Sequence, residues 1–450
     1  MSNNTTGNSN LGIGNGAARS NTTGTNNTAV GAYDALRNNT TGSSNTAIGF
    51  NALYSNVGNS GTVAIGHNAM YYADNRTIGI STYNTAIGYE ALKGSATAAN
   101  NTGTSNTTIG YQSLSSNTSG GGNLALGTTT MLANTSGERN TALGTNSLQQ
   151  NTTGSSNTAI GFQSLYKNST ASSNISIGDQ AMYNNLTGAY NIAIGRSAML
   201  NSSQGDDNIA IGNAALQNVV TNGGGGGSWN IAIGKYAMQA TTEGRGIGIG
   251  GEALKSVTTG DFNTGLGHHA LTNITTGANN TAVGYMSLIN AGTSSSDNIS
   301  LGYSAGSNLT SGSNNIIIGS SAQPSSSSAS NETVIGNSST VSANIKGTLK
   351  SNGQVLAIAA KSAAYTALVS DEIITCDATS AAFTITLPTA VGKTGQTYTI
   401  KRVNSGANAV TVGTTSSQTI DGAATYALSA QYKYVKVVSD GANWIIVGNN

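Results

Sequence analysis

At 450 residues the chain is long enough for several domains, yet only 8% of it is charged and 5% aromatic, which excludes the composition of an ordinary globular enzyme. A formal net charge of +1 gives no electrostatic footprint for nucleic acid or an anionic membrane, so neither is expected as a partner. Sixty glycines in a background of Asn, Thr and Ser would suit a disordered chain, were the apolar residues, 37% of the total, not strictly spaced.

The chain opens with MSNNTTGNSN, without the basic and apolar runs of a secretory signal. No segment approaches the roughly 18 consecutive apolar residues of a membrane span, so no membrane insertion is expected. A chain of this kind that works outside a cell is expected to arrive there within a particle, by lysis or from a longer precursor. From Gly14 to Gly336 one phrase recurs, N-T-A-I-G and its variants. Its glycines include Gly31, Gly49, Gly66, Gly88, Gly110, Gly127, Gly144, Gly161, Gly178, Gly195 and Gly212, and continue through Gly234, Gly250, Gly267, Gly284, Gly302 and Gly319. Most steps are 17 residues, with 16, 18 and 22 as exceptions, and additions such as Gly223 to Gly227 predict loops bulging from one corner of a regular coil.

Around each glycine the positions are specialised. Position −1 holds Ile, Leu or Val, position −2 a small residue such as Ala47 or Ala159, and position −3 Thr or, in mid-chain, Ile175, Ile192, Ile209 and Ile231. This alternation predicts a β-strand whose −3 and −1 residues share one face. At +3 and +4 stand Ala or Ser, then Leu or Met. Leu53, Leu114, Leu148, Leu165, Met182, Met199 and Leu216 are the resulting core or subunit-interface residues. A second short strand and an N-T-T-G turn then complete each lap.

The expected fold is therefore all-β, a parallel β-roll (solenoid) of about 19 coils over residues 1–340, about 90 Å long at ~4.8 Å per coil. Position −1 and the Leu or Met at +4 are expected to fill its thin core. The −2 alanine and the Ala-Leu pair are expected to serve in part an interface between chains, making a symmetric oligomer.

The phrases N-T-A-I-G-F-N-A-L (Asn45 to Leu53) and N-I-A-I-G-R-S-A-M (Asn191 to Met199) resemble the head repeats of YadA-type trimeric adhesins and related phage tail-fibre shafts, although those heads use a shorter coil. The resemblance spans residues 9–340. It implies a homotrimer of left-handed rolls that binds through its outer surface.

After Pro324 and a serine run the register ends, and residues 341–364 are expected to form a neck or linker. Residues 365–450 carry alternating runs, among them Phe383 to Leu387, Val410 to Val412 and Tyr432 to Val437, separated by turns such as Asp421-Gly422. They predict a C-terminal β-sandwich or jelly-roll. That order of runs resembles the small domain that ends many phage tail fibres, which implies a trimeric tip touching the host. Tyr432, Lys433 and Trp444 are the candidate receptor-binding residues, suited to stacking on sugar rings, with core or interface packing as the plainer role of the aromatic residues.

No catalytic, metal-binding or cofactor-binding set is expected. Of three histidines, His268 and His269 are adjacent, and adjacent strand residues point to opposite faces, so with His67 they are read as solvated residues. Asp371, Glu372 and Asp377 form the densest acidic group but lack the cleft a glycosidase needs. The many Asn-x-Thr/Ser triplets read as corner and surface residues, and Cys376 as a small buried apolar one.

The function expected is a structural and adhesive fibre of a phage tail or phage-like contractile injection particle, extracellular, not an enzyme. Its partners would be itself, a cell-surface receptor of glycan type, and a particle baseplate or another fibre subunit at the N-terminus. The alternatives are a bacterial surface adhesin or extracellular filament and, more remotely, an ice-binding β-solenoid that uses its Thr ranks.

Overall fold

The computed structural model describes residues 3–219, 227–242, 244–340 and 358–450. Most of the Gly223 to Gly227 run and of the expected neck lies outside them. The chain divides into two compact units, Met1–Ala343 and Asn344–Asn450. Its described elements are β-strands and one short 3-10 turn, Ala98–Asn100.

The first unit is a parallel β-solenoid of nineteen strands, from β1 (Leu11–Asn15) to β19 (Thr333–Ile335). Each strand pairs in parallel with the one before and after, position for position: Thr141 with Thr158, Thr158 with Ile175, Ile175 with Ile192. Most strands are three residues long, because that is all the flat wall a short coil possesses.

Among the described residues no second strand follows the glycine. Positions +2 and +4 instead take left-handed backbone angles in coil after coil, as at Asn51 (φ 53°), Leu53 (φ 55°), Gln163 (φ 52°) and Leu165 (φ 54°). These residues still bond between coils: Leu53 N donates to Ala69 O at 2.9 Å and Asn51 N to Tyr33 O at 3.0 Å. The anchoring glycine is required on two counts. Gly161 has φ 130°, and a Cβ there would lie 2.5 Å from the carbonyl oxygen of Gly178 on the next coil.

The sequence-based assignment of faces is reversed. Alanine at −2 points inward and is fully buried at Ala47, Ala64, Ala142, Ala159 and Ala210, together with Leu53, Leu114, Leu148, Leu165, Met182, Met199 and Leu216. The branched residues at −1 and −3 point outward. The reason is width: with three sharp left-handed corners per lap, the interior accommodates one long side chain opposite a methyl group, and a second branched residue would overfill it.

Two asparagine ladders run inside the coil. At −4, Asn140 donates from N and Nδ2 to Asn123 Oδ1 (3.0 and 3.2 Å) and from Nδ2 to Gly154 O (2.9 Å). At +7, Asn151 Nδ2 donates to Asn134 Oδ1 (2.7 Å) and to the same Gly154 carbonyl (2.9 Å). Buried amides are tolerated because nearly all of their donors and acceptors meet partners in their own or adjoining coils, Asn56 Oδ1 and Asn185 Oδ1 being exceptions. The asparagines of several Asn-x-Thr/Ser triplets, including Asn21, Asn39, Asn117, Asn134 and Asn151, are therefore interior residues, not surface ones.

The second unit packs two sheets around one core. One sheet runs β20 (Ile358–Lys361), β22 (Ile373–Cys376), β24 (Thr397–Arg402), β27 (Tyr434–Ser439), β28 (Trp444–Asn449). The other runs β21 (Tyr365–Thr366), β23 (Phe383–Leu387), β25 (Val410–Thr414), β26 (Thr425–Leu428). The sequence alternates between the sheets for six strands, pairing in parallel. The last three close them with antiparallel pairs. The two-sheet arrangement matches expectation, but its pairing is mixed, not that of an antiparallel jelly-roll. Strand β20 also brings residues 358–361 of the expected neck into the domain.

Candidate binding surfaces

The solenoid's outward wall is built by its strands. With alanine facing in, the −3 and −1 side chains stand side by side on the exposed face of the sheet. Ile48, Ile109, Ile175, Ile211 and Ile299 keep between 36% and 41% of their surface exposed. Neither rank contains a charge: −1 is always Ile, Leu or Val, and −3 is Thr, Ile, Leu or Val. Eighteen steps of ~4.8 Å and a breadth of about 10 Å make this strip on the order of 900 Å². A typical monomer's largest apolar patch is ~300–600 Å².

Beyond the glycine, position +1, or +2 at Tyr33 in the coil followed by an 18-residue step, adds rings that stack from coil to coil. Tyr33, Phe50, His67, Tyr89 and Tyr111 form one column, with centroid separations of 5.8, 4.9, 5.1 and 5.3 Å. His268, Tyr285 and Tyr303 form another, at 5.8 and 5.5 Å. Rings stacked in this way spend their faces on each other and present edges to solvent. Sequence reasoning missed these columns, though aromatic residues at +1 of successive repeats signal them.

His67 and His268 are exposed and His269 half-exposed, as expected of solvated residues, but the adjacent pair does not straddle a strand. His268 and His269 follow β15 (Asn263–Leu266) in a turn, so their rings meet edge to face at 4.0 Å instead of diverging across a strand. His269 Nδ1 lies 3.7 Å from Glu252, and His67 stacks between Phe50 and Tyr89 while staying exposed. Among the described residues no group of three or more His, Cys, Asp or Glu could hold a metal ion. Of the acidic trio, Asp371 accepts from Tyr365 Oη (2.9 Å) and Leu368 N (2.8 Å), and Asp377 caps its own turn through Thr379.

The three receptor candidates of the C-terminal domain do not form a platform. Trp444 is fully buried, packs on Tyr398 at 5.4 Å and donates from Nε1 to Pro388 O (3.3 Å), so it is a core residue. Its place at the head of β28 turns it inward between the sheets. Tyr432 is exposed, in the turn before β27, with the Lys401 ammonium 5.6 Å from its ring. Lys433 beside it is half-buried. Cys376 is fully buried, and burial pushes its thiol pKa up to about 12.

Among the described residues no helix is long and apolar enough to cross a membrane. Comparison with known protein families, curated proteins and solved structures gives no match to this chain.

Proposed function

We propose that the chain is a structural and adhesive fibre subunit, homotrimeric, with the solenoid as spacer and binding surface, working on a phage tail or phage-like injection particle. The observation that carries the oligomeric part is the uncharged outward strip. At about 900 Å² per chain it exceeds the ~800 Å² that each partner contributes to a standard stable interface. A partner with the same coil rise, a second copy of this chain, matches it along its whole length. The fibre setting rests on the likeness of the N-T-A-I-G-F-N-A-L phrases to adhesin heads and tail-fibre shafts. A glycan on a cell surface is the receptor class proposed, and an extracellular location follows from it.

Solution mass by light scattering tests the proposal. A particle near three times 44.9 kDa is expected. Replacing Ile194, Ile209 and Ile211 together with Asp is expected to dissociate it to a folded monomer, since these outward side chains contribute nothing to the interior. A wild-type monomer refutes the trimer.

A second reading is favoured by the same wall. Outward Thr and Ile at −3 and −1, repeated at the coil rise, form a flat and regular surface of the kind that orders water, as an ice-binding solenoid requires. The Thr rank gives way to Ile between Ile175 and Ile247, so thermal hysteresis by the purified protein is the deciding measurement.

A further inference from the structure

Position −5 takes a left-handed angle in coil after coil and is often Ser or Asn, as at Ser44, Ser156 and Asn279. Besides Tyr83 (φ 52°) in an early coil, three coils place a bulky aromatic residue there instead: Tyr190 (φ 58°), Trp229 (φ 60°) and Phe262 (φ 59°), a conformation bulky side chains rarely adopt. All three are strongly exposed, Trp229 at 62% and Phe262 at 59%. Of the coils between, one carries Asp207 at this position; the other, reached by the 16-residue step, lacks it, and its Arg245 aligns with Asp261, one place earlier. These aromatic residues thus recur every second coil, about 10 Å apart. Unlike the +1 rings, none stacks on another.

Between Trp229 and Phe262 lies a groove of about 450 Å³, floored by Ile247 and Thr264. That is the volume of a small-ligand site. Arg245 is fixed within it. Its guanidinium sits 4.5 Å over the Phe262 ring, and Nη2 and Nε donate to Asp261 at 2.9 and 3.3 Å. The ion pair offsets the local charge and engages Nε and Nη2 of the lining Arg245, leaving Nη1 outside it.

We propose that this groove binds a neutral glycan, a sugar ring lying against Trp229 with its hydroxyls on the Arg245–Asp261 pair. A pyranose offers an apolar CH face for an aromatic ring and hydroxyls that both donate and accept. The groove supplies an unstacked indole at Trp229 and a donor at Arg245, whose guanidinium is held by the Asp261 carboxylate. Asp207, one coil away on the other side of Trp229, adds negative charge and disfavours an anionic sugar. The two-coil spacing to Tyr190 lets an extended chain continue along the same rank. This deepens the adhesive reading, on which it rests, and assigns recognition to the solenoid wall, at the −3 edge of the proposed trimer strip, to which Ile247 and Thr264 belong.

Tryptophan fluorescence of the full chain tests it. The chain has two tryptophans, and Trp444 is buried in the other unit, so a ligand-induced change reports Trp229. The probes are cellotetraose, chitotetraose, maltotetraose and mannotetraose, with 3′-sialyllactose as the anionic comparison. A saturable change with at least one neutral tetrasaccharide is expected. Phe262→Ala and Arg245→Gln should each weaken it at least tenfold with unchanged circular dichroism. Trp229→Phe should abolish the optical signal while calorimetry still detects binding. No saturable change with any neutral sugar at millimolar concentration, unchanged affinity in both variants, or preference for sialyllactose overturns the proposal. Solution mass on the same samples separates the two ideas: a trimer that ignores the sugars refutes the groove alone, and a monomer that binds them refutes the trimer alone.

Discussion

Replacing one anchoring glycine isolates what holds neighbouring laps together. In Gly161→Ala the new Cβ would start 2.5 Å from Gly178 O and 2.7 Å from Gly178 C, both backbone atoms that no rotamer change can move aside. Restoring even 3.0 Å to that oxygen requires the coils to part by about 0.5 Å. The bond from Gly178 N to Ile160 O, now 2.8 Å, would then stretch to about 3.3 Å, past the ordinary limit of ~3.2 Å. Weakening two or three such bonds at ~0.5–1.5 kcal/mol each, and forcing a residue with a Cβ to φ 130° at ~1–3 kcal/mol, gives about 3–5 kcal/mol. The control is Gly122→Ser. Gly122 has φ 68°, its Cβ would meet nothing closer than 3.7 Å, and the equivalent position is already Arg139 or Ser156 in the next coils, so about zero is expected. The assay is amide hydrogen exchange, because a long solenoid opens locally and a single unfolding free energy is undefined for it. Protection should fall by about two to nearly four orders of magnitude, at ~1.4 kcal/mol per tenfold, within coils 144–195 in the first variant and stay level in the second. Equal effects from both would refute the argument from close approach.

The +7 amide ladder makes a second prediction. Asn151→Ala strands Asn134 Oδ1 and takes the acceptor from Asn168 Nδ2, costing about 2–4 kcal/mol by the same local exchange measurement. Conversely, Asn185 Oδ1 and Ser202 Oγ are buried without partners where that ladder stops, and Ser202→Asn leaves one orphan in place of two, for an expected gain of about 1 kcal/mol. In the C-terminal domain the Cys376 thiol, buried and protonated at neutral pH, should react with Ellman's reagent only as that domain opens. Trp444→Ala should lower the urea midpoint of this reaction by the equivalent of about 3–5 kcal/mol and leave solenoid exchange unchanged.

The coil period and the parallel stacking were legible because glycine cannot be exchanged where φ lies near 130° and a facing carbonyl is 2.5 Å away. The parity of the strand was legible for the same reason. Which parity faces inward was not. Hydropathy ranks Ile above Ala, but the interior is set by its width, and that width follows from left-handed corners occupied by Asn, Gln, Leu and Met, which carry no local signature of the conformation. The asparagines read as turn formers, since one repeat shows a turn and only many stacked repeats show a ladder. At the candidate site, Tyr432 and Trp444 drew attention as scarce aromatic residues in a β-domain. Trp229 and Phe262 passed unnoticed because position −5 looked like part of a loop until its coils were stacked.

The amide ladders also bear on how much variation the coil can absorb. Asn106 N still donates to Asn84 Oδ1 at 2.8 Å although their coils are 22 residues apart, and Asn230 N does the same to Asn208 Oδ1 at 2.9 Å. An insertion is thus confined to its own lap, because the next asparagine docks in the slot left by the last and cancels any slippage. Loops at that corner are free to lengthen, shorten or diversify in sequence while every subsequent lap stays in step, as beads threaded between fixed pegs would.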